Sequence, residues 1–169
     1  MTRRHAVVPT DLGDLTMVAD GPNLAAIYFP GHWHLPAESA YGDETTADDP
    51  VFARTATELA EYLAGERRDF DIPLATDGDD FSERVWAMLK EIPYGETTTY
   101  GALATRLGNP RLAQRVGQCV GHNPISIIIP CHRVVGADGS LTGYAGGLDR
   151  KRRLLDLEEP REVRESRLF

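Results

Sequence analysis

With only two cysteines, Cys119 and Cys131, in 169 residues, the chain has no means of building a disulfide framework. The same two thiols and five scattered histidines offer no spacing that suits zinc, and the expectation is of no metal and no cofactor. A cysteine with a special task here would be a reduced, reactive thiol. Long apolar runs are missing too. None approaches the roughly 18 residues that a membrane span needs, and the opening Met-Thr-Arg-Arg-His lacks the apolar core of a secretory signal. These gaps predict a cytoplasmic protein with no membrane partner. Lysine is scarce as well: among 18 basic residues only Lys90 and Lys151 are Lys, a bias that points to a GC-rich bacterial genome.

What is present is a globular composition, 41% hydrophobic and 26% charged, long enough for one ordinary domain or two small ones with a real core. The net charge of −8 argues against a polyanionic partner, but it averages two unlike halves. Residues 1 to 80 carry 5 basic and 16 acidic side chains, a net −11, whereas residues 81 to 169 carry 13 and 10, a net +3. If nucleic acid is bound, the second half binds it and the acidic half faces away from phosphate.

Three short β-like runs open the chain, at residues 6 to 8, 15 to 19 and 24 to 29, separated by turn-forming residues around Gly13 and by Asp20-Gly21-Pro22-Asn23. They predict an antiparallel meander. Residues 30 to 49 read as a long loop. Asp49-Pro50 then supplies an N-cap and a first helical position for a helix to about Leu63, with Val51, Thr55, Leu59 and Tyr62 on one face and Gly65 as its stop. Phe70, Ile72 and Leu74 alternate as a strand would. Asp77-Gly78-Asp79 marks a boundary between an N-terminal domain, residues 1 to 78, and a C-terminal one, residues 79 to 169.

Asp80 with Glu83 resembles a capping box, and Phe81, Val85, Met88, Leu89 and Ile92 give the stripe of a helix ending before Pro93. Thr98 or Thr99 caps a short helix over residues 100 to 107 that Gly108 terminates, and Asn109-Pro110 starts another running to about Val120. The pair is either an ordinary helical corner or a helix-turn-helix whose second helix presents Arg111, Gln114, Arg115 and Gln118 to DNA. Further on, the apolar run Ile125-Ser126-Ile127-Ile128-Ile129 predicts a buried strand that Pro130 ends just before Cys131. His132 and Arg133 follow at once. A thiol with a pKa near about 8.5 is only a few per cent ionised at neutral pH, so a base or a positive charge beside it is what a nucleophile requires.

Ile129-Pro130-Cys131-His132-Arg133-Val134 resembles the active-site signature of the O6-alkylguanine-DNA alkyltransferases. Asn123-Pro124 upstream, Tyr100 at the start of the helix pair, the run Gly143-Tyr144-Ala145-Gly146-Gly147-Leu148 and Glu158 at the close of the last helix agree with that family in order and spacing. The likeness covers residues 80 to 158 closely and residues 10 to 18 more loosely. It implies an α/β protein: a ribonuclease-H-like antiparallel-sheet domain followed by a mainly helical, helix-turn-helix (winged-helix-like) domain. It also implies single-use DNA repair, in which the alkyl group of an O6-alkylguanine is moved to Cys131 and the protein is spent.

By the same resemblance the sulfur is relayed through water to His132 and Glu158, a nucleophile, base and orienter arrangement. The damaged base swings out of the duplex, at a cost of a few kcal/mol, into a pocket walled by Tyr144. Tyr100 crowds a phosphate and contacts the base. Backbone groups near Val134, Val135 and Ala145 read the guanine edge, Lys151 stabilises the departing O6, and Asn123 is a buried hinge beside the pocket. Arg111, Gln114, Arg115, Gln118 and Arg133 are the expected DNA contacts. The partner is double-stranded DNA carrying the lesion, and the protein is expected to act as a monomer.

One position departs from the family. Where an arginine usually fills the space left by the flipped base, this chain has Gln114, and Arg115 lies about 100° round the helix. Gln114 can hydrogen-bond the orphaned base but lacks a guanidinium's charge and fork, which predicts weaker DNA binding. Cys119, in the same helix, reads as packing. Two rival functions remain at this level: a lesion reader that transfers nothing, which would not need Cys131 with His132 and Glu158, and an alkylation-sensing helix-turn-helix regulator, which would need an operator sequence.

Overall fold

The computed structural model describes residues 3–32 and 35–159. The end of the C-terminal domain beyond residue 159 lies outside them. The first three strands, β1 (Arg3–Thr10), β2 (Gly13–Asp20) and β3 (Asn23–Tyr28), form the expected antiparallel meander. The stretch read as loop adds a 3-10 turn, Glu38–Tyr41, and a two-residue strand, β4 (Asp43–Glu44), which pairs parallel to β1. Sheet order is β3-β2-β1-β4. No periodicity announces so short a strand.

Helix α1 (Pro50–Leu63) starts on Asp49, whose carboxylate accepts from the Val51 N–H, and stops at Gly65 with φ +78°. The Arg4 guanidinium binds the same carboxylate, tying β1 to the helix start. The buried face is Phe52, Thr55, Leu59 and Tyr62 together with Glu58; Val51 is only partly covered, because Phe52 takes the inward position. Residues 70 to 74 are not a full strand. They make a single parallel bridge, Leu24 to Leu74.

Helix α2 (Asp80–Lys90) is capped one residue earlier than expected: Asp79 accepts from Ser82 N–H, and Glu83 reaches back to Gly78 N–H and the Thr76 hydroxyl. After β5 (Thr98–Thr99), Thr99 caps α3 (Tyr100–Arg106). Asn109 caps a 3-10 turn, Pro110–Leu112, that feeds α4 (Ala113–Gly121), giving the helix-turn-helix. The run 125 to 129 corrects the strand reading. Ile127 has φ +76°, and Ile128 N–H and Ile129 N–H donate back to Ser126 O and Ile125 O, so the chain folds into a tight turn. Burial is as expected, since Ile125, Ile127 and Ile129 are core, but an apolar run without alternation marks burial rather than backbone shape. Strand β6 (Val134–Val135) pairs parallel to β5, and α5 (Leu148–Glu158) closes the described chain.

The buried apolar residues of β1–β3 and α1 run without a break into those of α2–α5, so both halves share one core. Among the described residues no helix is long and apolar enough to cross a membrane.

Candidate active site

Cys131 opens a single 3-10 turn, Cys131–Arg133, between the residue 125 to 129 turn and β6. Its N–H donates to Ile129 O at 2.8 Å. That carbonyl also accepts from Asn123 Nδ2 at 2.7 Å, while Asn123 Oδ1 accepts from Ile125 N–H at 3.0 Å. Asn123, buried at the end of α4, therefore clasps both ends of the turn that presents the thiol.

Behind the cysteine lies a buried cluster of charge. His132 Nε2 is 2.8 Å from Glu158 Oε2. The same carboxylate accepts from Arg133 Nε at 2.8 Å, from the second Arg133 terminal nitrogen at 3.0 Å, and from the Tyr62 hydroxyl. Burial alone would raise the Glu158 pKa, but the hydrogen bonds from His132, Arg133 and Tyr62 win and hold it at about 2. An ionised carboxylate can only accept, so Nε2 carries the imidazole proton. His132 Nδ1, buried and without a protein partner among the described residues, keeps its lone pair. Burial also holds the imidazole below its usual 6.5, more strongly than Glu158 raises it.

Burial pushes the Cys131 thiol up to about 11, against the pull of Asn123 and Lys151. The resting pair is thus a neutral thiol beside a neutral imidazole. Lys151, wholly buried on α5, is brought down to about 8 by desolvation, with Cys131 acting in the other direction. Its Nζ donates to Val134 O at 2.7 Å and Thr142 O at 3.3 Å, which leaves one of three donors unused among the described residues. Thr142 also meets Tyr100, hydroxyl to hydroxyl at 2.8 Å.

A cavity of about 700 Å3 opens between α4 and the loop after Thr142, lined by Tyr100, Gln114, Gly117, Gln118, Tyr144 and Ala145. The Tyr144 ring packs against Phe29 at 5.8 Å, and its hydroxyl is buried near Ser126. Gly146 touches Phe29 so closely that a Cβ there would fall 2.4 Å from the ring. Arg150 braces this wall, donating to Gly146 O at 2.9 Å and Leu12 O at 3.0 Å.

The structure gathers Cys131, His132, Glu158, Asn123 and Lys151 in the interior, and Tyr100, Tyr144 and Ala145 around the cavity. Val134 and Val135 lie in the β5–β6 pairing. Arg111, Gln114, Arg115 and Gln118 are exposed on the helix-turn-helix. Arg115 is not idle: its guanidinium stacks 3.9 Å from the Phe81 ring centre, away from the place of Gln114. Arg133 requires correction. It was expected on DNA, but it is buried, bonded to Glu158 and, at 2.6 Å, to Ile92 O, because an interior carboxylate needs a cation. Sequence reading missed Tyr62 and Thr142. A tyrosine on an apolar helix face signals only that its hydroxyl must find some partner, not which one. Cys119 is packing, its carbonyl accepting from Trp86 Nε1 at 2.8 Å.

Among the described residues no group of three or more His, Cys, Asp or Glu is placed to hold a metal ion. Comparison with known proteins matches residues 4–76 to the family model described as 6-O-methylguanine DNA methyltransferase, ribonuclease-like domain. Residues 80–160 match 6-O-methylguanine DNA methyltransferase, DNA binding domain. The chain is 42% identical over 165 residues to the Mycobacterium tuberculosis Methylated-DNA--protein-cysteine methyltransferase, covering 98% of each chain. It is 42% identical over 156 residues to the Haemophilus influenzae protein of that name, covering 92% of this chain and 86% of that one. A crystal structure of Mycobacterium tuberculosis OGT in complex with DNA superimposes with a TM-score of 0.83 at 43% identity, covering 92% of each chain. An O6-methylguanine DNA methyltransferase from Methanococcus jannaschii follows at 0.63 and 29%, covering 90% of this chain and 92% of that one. On these matches to both halves, the chain belongs to the 6-O-methylguanine DNA methyltransferase family.

Proposed function

We propose that this protein repairs double-stranded DNA by transferring the alkyl group of an O6-alkylguanine to its own Cys131, once per molecule. The observation that carries the reading is the buried hydrogen-bonded array of His132 and Glu158, begun by the residue that follows Cys131 in the same turn. With a pKa of about 11, the thiol would cost about 5 kcal/mol to ionise into water at pH 7. A fixed base removes that need. His132 Nδ1, through one water, takes the proton, and Glu158 stabilises the imidazolium. The thiolate then attacks the alkyl carbon: the S–C bond forms, the C–O6 bond breaks, and its electron pair stays on the purine oxygen. Lys151 steadies that oxygen with its remaining donor, and Tyr100 stands at the cavity's edge. The thioether does not hydrolyse, so the protein is consumed.

In this reading the everted base occupies the cavity beside Tyr144 and Ala145, with backbone groups at Val134 and Val135 facing the guanine edge. Arg111, Gln114 and Gln118 lie against the duplex. The chain works in the bacterial cytoplasm as a monomer, with a boundary at residue 78 between its ribonuclease-like and DNA-binding parts. The test is a duplex with labelled O6-methylguanine, followed by digestion of the protein. One label per molecule on the Cys131 peptide supports transfer. Tight binding without label would indicate a lesion reader, and preference for one undamaged sequence a regulator.

A further inference from the structure

The hydrogen-bond donors to the Glu158 carboxylate do not all come from the C-terminal half. Tyr62 sits on α1, 96 residues away in sequence, is almost wholly buried, and donates its hydroxyl to Oε2, the oxygen that His132 Nε2 also contacts. Its ring is wedged against Phe70, with centres 5.3 Å apart, and edge-on to Tyr94 at 6.2 Å, so the hydroxyl is aimed by packing. We propose that Tyr62 is a positioning residue for the alkyl transfer, through which the ribonuclease-like half sets the proton affinity of the His132 relay. The inference rests on the function proposed above.

The physical argument concerns one oxygen with competing donors. Each hydrogen bond that Oε2 accepts withdraws electron density and weakens its hold on the next donor. With Tyr62 in place the carboxylate is a moderate partner for His132, leaving the imidazole a proton acceptor that starts neutral. Without it Glu158 pulls harder on Nε2–H, and the imidazole binds a second proton more readily. The groups facing His132 are otherwise unchanged: Glu158 and Lys151 from α5, Cys131 and Arg133 from its own turn, and Tyr94 beyond Arg133 at 5.8 Å. A purely structural tyrosine would affect stability without moving this titration.

The test is Tyr62→Phe, which keeps the ring and removes the donor. The imidazole resonances of His132 are followed by heteronuclear NMR against pH in the full chain, beside single-turnover transfer from an O6-methylguanine duplex. The expected result is an upward displacement of the His132 titration by about half to one pH unit, with the acid limb of the transfer rate moving the same way. Superimposable titrations of variant and wild type overturn the proposal, whatever happens to stability. Should the variant fold poorly, 3,5-difluorotyrosine placed at position 62 is a stronger donor of nearly equal volume and is expected to move the titration downward; no movement overturns it equally. Because the NMR titration needs no transfer, a protein that shifts its titration yet transfers nothing would sink the repair reading and leave the coupling standing.

Discussion

The interior behind Cys131 and the outer face of α4 are built on opposite terms. Behind the thiol, Glu158 is gripped by three side chains, Arg133 spends its donors on Glu158 and Ile92 O, and Lys151 is fastened to two carbonyls. On α4, Gln114 and Gln118 stand exposed, and Arg115 lies over the Phe81 ring within reach of the Asp79 charge. Groups that must meet a reacting atom are fixed beforehand, since reorganisation during the reaction would cost rate. In the proposed function the groups left adaptable are those that would meet DNA, where substitution is expected to alter affinity without disturbing chemistry.

That contrast is open to attack, most forcefully in the interior. Cys131→Ala is expected to abolish label transfer while leaving duplex binding within about twofold, as read by a gel-shift titration at fixed salt. Next, Glu158→Gln leaves the Arg133 guanidinium buried without its counter-charge. A loss of about 3 kcal/mol or more in urea unfolding is expected, together with a large fall in transfer rate; a variant as stable as wild type would show the cluster to be ornamental.

Acid exposes the same cluster. Below pH 6.5 the unfolded His132 gains a proton that the folded one resists, and below about 4.5 the unfolded Glu158 does likewise down to its folded value of about 2. In both windows the unfolded state binds more protons, so stability falls as pH falls. Urea midpoints measured from pH 8 to pH 3 should decline from about 6.5 and steepen below 4.5, and Glu158→Gln should lose the steeper part. On α4 the effects are smaller. Gln114→Arg is expected to tighten DNA binding by about 1 kcal/mol, with a steeper salt dependence, and to leave the transfer rate at saturation unchanged. Equal or weaker binding at matched salt removes the argument about that position. Cys119→Ala should cost about 1 kcal/mol of stability and no transfer.

Local chemistry was readable wherever a short stretch settles its own structure. Asp49-Pro50 with Gly65 bounds α1, Thr99 caps α3, and Asn109-Pro110 opens the second limb of the helix-turn-helix. Cys131 stands out in the sequence because His132 adjoins it. What escaped depends on distant partners. The turn at residues 125 to 129 is held by Asn123 and by a left-handed Ile127, neither of which an apolar run betrays. Arg133 looked like a surface cation because its carboxylate lies 25 residues on, and Tyr62 looked like plain core because its acceptor lies 96 residues on.

Gly146 has a consequence for what the cavity can admit. The loop bearing Tyr144 nests on Phe29 only because position 146 does without a methyl group, so in the proposed function the ribonuclease-like half would set the width of the base pocket. Tolerance of bulkier adducts would then be won by trimming Phe29, a residue on the far side of the wall, before any change to the wall itself.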